Sequence, residues 1–155
     1  IRMKKIFLYL CFLTFFSCSG YEPVFSKKDF TFYINDIENI DNKKTTKQVI
    51  ANILSYKLDN VNNKNYSLKV NSSKNKEITS RDSKGNPLTY RITINVEVEV
   101  FRGNSNILFD TINIMKDFTY NYQVNQFELG QYKRNIIESL IVKISEEIIV
   151  TLQLM

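Results

Sequence analysis

A chain of 155 residues is long enough for one domain and short of two. It carries 21 Lys and Arg against 16 Asp and Glu, with no histidine, no tryptophan and two cysteines, which excludes nucleophile–histidine catalysis and zinc sites built on His or several Cys. Arg2, Lys4 and Lys5 fall in a leader, and without them 18 basic residues face 16 acidic ones, so the balance of about +2 gives no reason to expect nucleic acid.

The leader comes first. Lys4 and Lys5 precede an apolar run from Ile6 to Phe16, broken by one threonine, and Ser17-Cys18-Ser19-Gly20 follows at once. A charged start, a short apolar stretch and a small residue before the cut describe a secretory signal. Eleven helical residues span about 17 Å, against a hydrocarbon core of roughly 30 Å. The cysteine directly after the cut reads as a bacterial lipoprotein signal, with residues 1–17 removed. Cys18 then becomes the N-terminus and carries a diacylglycerol and an N-acyl chain. The same residues fit an ordinary signal peptide with an incidental cysteine, or an uncleaved anchor. Met3 reads as the initiator. Residues 18–28 hold Gly20 and Pro23 and read as a tether, and residues 29–155 as a single domain.

Phe30 to Asn35 alternates large apolar with smaller or polar residues and predicts a strand. Asp36 to Lys44 reads as a polar connection. Thr45 with Gln48 fits a capping box, and Val49, Ile50, Ile53, Leu54 and Leu58 form a helical stripe behind it. Tyr66, Leu68 and Val70 suggest a second strand. Ser72 to Pro87 reads as a long basic loop, with a strand extension near Ile78. From Arg91 to Val100 the alternation is unbroken, with Ile92, Ile94, Val96, Val98 and Val100 on the buried side. Gly103 to Asn106 marks a hairpin turn. Ile107 to Tyr122 returns as a strand, where Lys116 falls on the apolar parity and predicts a bulge or a wet section. Asn125 caps the last helix, Val124 and Leu129 are spaced for a staple, and Ile137, Leu140, Ile141, Ile144, Ile148 and Leu152 form its core stripe. The expectation is an α+β fold in the order β-α-β-β-β-α, with two helices on one face of a four-stranded, mostly antiparallel sheet.

Little of this chain suggests catalysis. Glu97 with Glu99 and Glu146 with Glu147 are the available carboxylate pairs, and both read as solvated surface. Four glycines leave no phosphate loop. Neither a metal nor a cofactor is expected. What remains is basic and aromatic: Lys74, Lys76, Arg81, Lys84 and Arg91 on or beside one loop, and Phe118, Tyr120, Tyr122 and Phe127 between the last strand and helix. The first group suits an anionic lipid headgroup, the second a partner surface.

Several segments together resemble one family, the LPS-assembly lipoprotein LptE. Cys18-Ser19-Gly20-Tyr21-Glu22-Pro23-Val24-Phe25 is similar to its Cys-Gly-aromatic-x-Pro opening, with Ser19 as an extra residue. Thr45 to Leu54 resembles its first helix, Phe118 to Phe127 its passage from last strand to last helix, and Ile148 to Leu152 its closing rhythm. The resemblance implies a lipid-anchored, periplasm-facing protein of the outer membrane. It implies assembly with, and plugging of, a large LptD-type barrel, and contact with lipopolysaccharide. Only Cys18 is carried over as a site. Arg81, Lys84 and Arg91 are lipopolysaccharide-binding candidates from their position alone. The alternative is a lipoprotein accessory of another envelope lipid-transport system of the ABC type.

Overall fold

The computed structural model describes residues 30–56, 58, 64–103, 105, 107–122 and 125–155. The signal, Cys18, the tether and Val124 lie outside these residues. Four strands and two helices follow in the order β1 (Tyr33–Asn39), α1 (Lys44–Leu54), β2 (Asn65–Arg81), β3 (Pro87–Arg102), β4 (Leu108–Asn121) and α2 (Gln126–Leu154). The sheet order is β1-β2-β3-β4, with β1 parallel to β2 and the other two pairs antiparallel. This is the expected α+β architecture.

One face of the sheet is apolar because alternation on β3 puts Ile92, Ile94, Val96, Val98 and Val100 on the same side, all buried. Leu68 and Val70 of β2 and Ile112 and Ile114 of β4 extend that layer. From above, α1 contributes Val49 and Ile53, and α2 contributes Ile136, Leu140, Ile141, Ile144, Ile148, Ile149 and Leu152. Each such aliphatic side chain, fully buried, stabilises the fold by about 1.5–3 kcal/mol. The Ser145 hydroxyl, buried between the helices, donates to the Ile141 carbonyl of its own helix. At the far end of α2, Gln153 accepts from the Thr31 amide and donates to the Thr31 hydroxyl, both at 2.9 Å.

Several elements differ from the sequence expectation, each for a local reason. Phe30, Phe32 and Ile34 are buried, but the strand begins only at Tyr33, after Phe30 and Phe32, and runs on to Asn39 through a register shift between Ile34 and Asp36. Backbone pairing to β2 carries this mostly polar edge, with Ile37 as its one apolar side chain packed against the core. No capping box forms at Thr45. The helix starts one residue earlier, its Lys43 cap makes no side-chain bond, and Thr45 and Thr46 are buried instead. The helix also stops before Leu58, which bridges to Phe30. The expected loop from Ser72 to Pro87 is mostly strand. β2 runs unbroken to Ile78 and with small shifts to Arg81, paired throughout with β3. The turn between them is held by Asp82, whose carboxylate accepts from the Lys84 and Asn86 amides, while Gly85 adopts φ +86°, a left-handed conformation suited to glycine. At Lys116 no bulge occurs, and its ammonium pairs with Glu147 of α2. Asn125 does cap α2, accepting from the Phe127 amide at 3.1 Å and the Glu128 amide at 3.4 Å.

Candidate ligand-binding surface

The two halves of the sheet are covered differently. α1 reaches along β2 only as far as Ser72, where the Thr46 and Ser72 hydroxyls meet at 2.7 Å. Beyond Ser72, the helix-facing positions of β2 become Lys74, Lys76 and Ile78, all exposed. The distal part of β2 is therefore an open shelf beside Ile92 and Ile94 of β3, which stay buried, with the first turns of α2 along the far side.

The three basic candidates take up different positions on this distal end. Arg81 and Lys84 come together at the β2–β3 hairpin. The Arg81 guanidinium donates to the Gly85 carbonyl at 2.8 Å and closes the turn, while Lys84 is exposed. Arg91 is not with them. Alternation places it on the opposite face of β3, between Glu77 at 3.4 Å and Asp117 at 3.7 Å. Its charge is matched by two carboxylates, so it offers less to an anion than either hairpin residue. Cys18 lies outside the described residues.

The aromatic junction does assemble. Tyr120 is buried at its centre, stacked on Tyr90 with ring centroids 5.7 Å apart and planes 23° from parallel. Tyr132 of α2 meets Tyr120 edge-on at 6.4 Å, and Tyr122 lies 6.4 Å from Tyr90. Burial, and then the neighbouring Tyr90, raise the Tyr120 phenol above its ordinary value. Phe118, Tyr122 and Phe127 stay on the surface. Lys133, on α2, was not a sequence candidate. Its ammonium lies 6.0 Å from the Tyr120 ring centroid, and burial together with Lys76 lowers its pKa. Only the pairing of Lys133 with a strand far away in sequence marks it out.

A second surface runs along the free edge of the sheet. Ile107, Leu108, Phe109, Met115 and Phe118 are exposed on or beside β4, and Phe127 is exposed in the first turn of α2. Among the described residues, no group of three or more Asp, Glu, Cys or His gathers to hold a metal. No described helix is long and apolar enough to cross a membrane.

No protein-family model matches this chain, and no curated protein matches it. Solved structures do. The rare lipoprotein B of Shewanella oneidensis aligns with a TM-score of 0.60 at 14% identity, covering 77% of this chain and 92% of its own. This chain has the fold of that lipoprotein. A minor lipoprotein of Acinetobacter baumannii aligns with a TM-score of 0.54 at 12% identity, over 82% of this chain and 93% of its own. An uncharacterized lipoprotein B of Nitrosomonas europaea gives 0.55 at 9% identity, over 79% and 85%. At these identities the likeness is one of fold, and function has to be argued from surfaces.

Proposed function

We propose that the chain is an outer-membrane lipoprotein, anchored through Cys18 and facing the periplasm, that assembles with and plugs an LptD-type barrel and assists lipopolysaccharide transport to the cell surface. It acts by binding and assembly, without catalysis. The observation that carries the reading is the apolar edge: Leu108, Phe109, Met115 and Phe118 are exposed along the edge strand β4, with Ile107 just before it and Phe127 in the first turn of α2. A concentration of exposed aromatic and aliphatic residues on one side of a small domain is the composition of a partner surface. The lipoprotein signal, the LptE-like segments and the lipoprotein fold support the compartment and the partner.

The test is a mild-detergent pull-down of tagged, full-length protein from its own membranes, with mass spectrometry of what accompanies it. The expected result is a large outer-membrane barrel in near-equal amount, reduced when Met115 and Phe118 are both changed to Ser. Recovery of a transporter ATPase or permease in its place overturns the reading in favour of an ABC-type accessory. Recovery of no partner overturns it as well.

A further inference from the structure

The two edges of the sheet, β1 and β4, differ in kind. β1 is short and mostly polar. β4 runs for 14 residues and, among the described residues, pairs only with β3, so its outward backbone groups have no strand partner. Beside this edge, between β4 and α2, lies a groove of about 240 Å³. Phe118, Tyr132, Ile136 and Leu140 line it with apolar surface, and Ser139 and Lys143 of α2 border it. Small-molecule pockets run to roughly 300–1,000 Å³, so this groove suits a side chain or two better than a free ligand. Glu147, four residues on from Lys143, is engaged by Lys116 of β4. Lys143 itself is exposed and has no carboxylate partner among the described residues. The groove is therefore apolar within and carries an unanswered cation at its border.

We infer that the β4 edge and this groove together receive an extended segment of a partner protein whose inward side chains are apolar and acidic by turns. A strand laid against β4 continues the backbone ladder, and every second side chain then falls on the helix side of the sheet. There a large apolar side chain meets Phe118 and Leu140, and a carboxylate on the same face of the segment answers Lys143. Charge complementarity selects this occupant, because a basic or wholly apolar segment leaves Lys143 unmatched. Lys116, an inward charge on the same edge, further disfavours a wholly apolar strand. On the other face of β4, Met115 is exposed and offers apolar contact to the alternate side chains. Assigning the segment to the barrel rests on the assembly reading above, whereas its extended, acidic chemistry does not.

The probe is a short fluorescein-labelled peptide in which threonine alternates with phenylalanine and glutamate in turn, added to the full-length protein in detergent. One control peptide has lysine for glutamate. Another has proline at its centre, which cannot donate to a ladder. Fluorescence anisotropy measures binding, and amide hydrogen exchange follows the β4 backbone. The expected result is saturable binding of the acidic peptide, about tenfold tighter than the lysine peptide, with exchange slowed along β4 and no binding of the proline peptide. Lys143→Gln is expected to remove most of the preference for glutamate over lysine. Ser139→Trp, at an exposed helix position, fills the groove and is expected to weaken binding about tenfold with the circular dichroism spectrum unchanged. Equal binding of the acidic and lysine peptides, binding of neither, or unchanged exchange in β4 overturns the inference. Exchange in β4 that slows with protein concentration alone assigns the edge to a second copy of this chain and overturns it as well. If the acidic peptide binds and no barrel co-purifies, the edge stands and the barrel role falls. If the barrel co-purifies undiminished with the Ser139→Trp/Lys143→Gln variant, the assembly reading stands and this one falls.

Discussion

The Asp41 carboxylate receives the Ser72 backbone amide at 2.8 Å, joining the turn before α1 to the middle of β2. Its other oxygen accepts from the Lys43 amide at 2.9 Å, and the Lys43 ammonium lies 3.1 Å from the oxygen that takes the Ser72 amide. Burial pushes this carboxyl up, but the Ser72 and Lys43 amides, the Thr46 hydroxyl and the Lys43 ammonium together outweigh it. They hold the group far below the usual carboxylate range.

A carboxyl depressed in the folded state stabilises the protein fully above its unfolded value, near 3.8, and that stabilisation drains away as the pH falls below it. Asp41→Asn is therefore expected to cost about 1.5–3 kcal/mol at neutral pH and to flatten the acid limb of the stability curve. Melting curves followed by circular dichroism from about pH 7 down to about pH 2.5 check this. Parallel acid limbs for the two proteins would exclude the assignment.

Beside Asp41, the Thr46 and Ser72 hydroxyls satisfy each other in a fully buried position. Thr46→Val leaves the Ser72 hydroxyl without this partner, and the expected loss is about 1–3 kcal/mol. Adding Ser72→Ala removes the stranded group, so the double variant should lose less than the sum of the two single changes. A denaturant-melt cycle over the four proteins measures the coupling, and strict additivity would contradict it.

Lys116 puts a charge on the helix side of an edge strand and pairs with Glu147 of α2. Both side chains are well exposed, so the pair itself contributes within about 1 kcal/mol. An inward charge on an edge strand also discourages pairing with a second chain. Lys116→Val is thus expected to leave the melting temperature nearly unchanged and to produce larger species in sedimentation velocity. An unchanged sedimentation profile would remove this role.

Where one face of the sheet is buried, the sequence declares it. The alternation from Ile92 to Val100, the stripe from Leu140 to Leu152 and the cap at Asn125 match the structure, whereas in the turn before Leu140 it is Ile136 that is fully buried and Ile137 only partly. Between Ser73 and Arg81 both faces are wet, so side-chain pattern is silent and pairing with β3 alone defines the strand. Thr45 and Thr46 carry a capping spacing, but tertiary burial takes them instead. The same distinction separates the site residues. Arg81 and Lys84 are legible as a basic hairpin. The matching of Arg91 by Glu77 and Asp117 depends on cross-strand register, and the approach of Lys133 to the Tyr120 ring depends on where α2 lies over the sheet. No local spacing encodes either.

The bond between Thr31 and Gln153 fixes a pole of the molecule. Whatever precedes Phe30 in the chain joins the domain where α2 ends, beside the paired Tyr33 and Asn65. From Asn65, β2 advances eleven residues to Lys76, about 36 Å at strand rise. An anchor at the N-terminal side, as proposed, would hold the molecule by this end, and the exposed distal part of β2 would stand off from it by more than a bilayer's hydrocarbon thickness of about 30 Å. The length of β2 sets this stand-off, so shortening the β2–β3 hairpin by pairs of residues would draw in its tip without altering the buried layer beneath the helices.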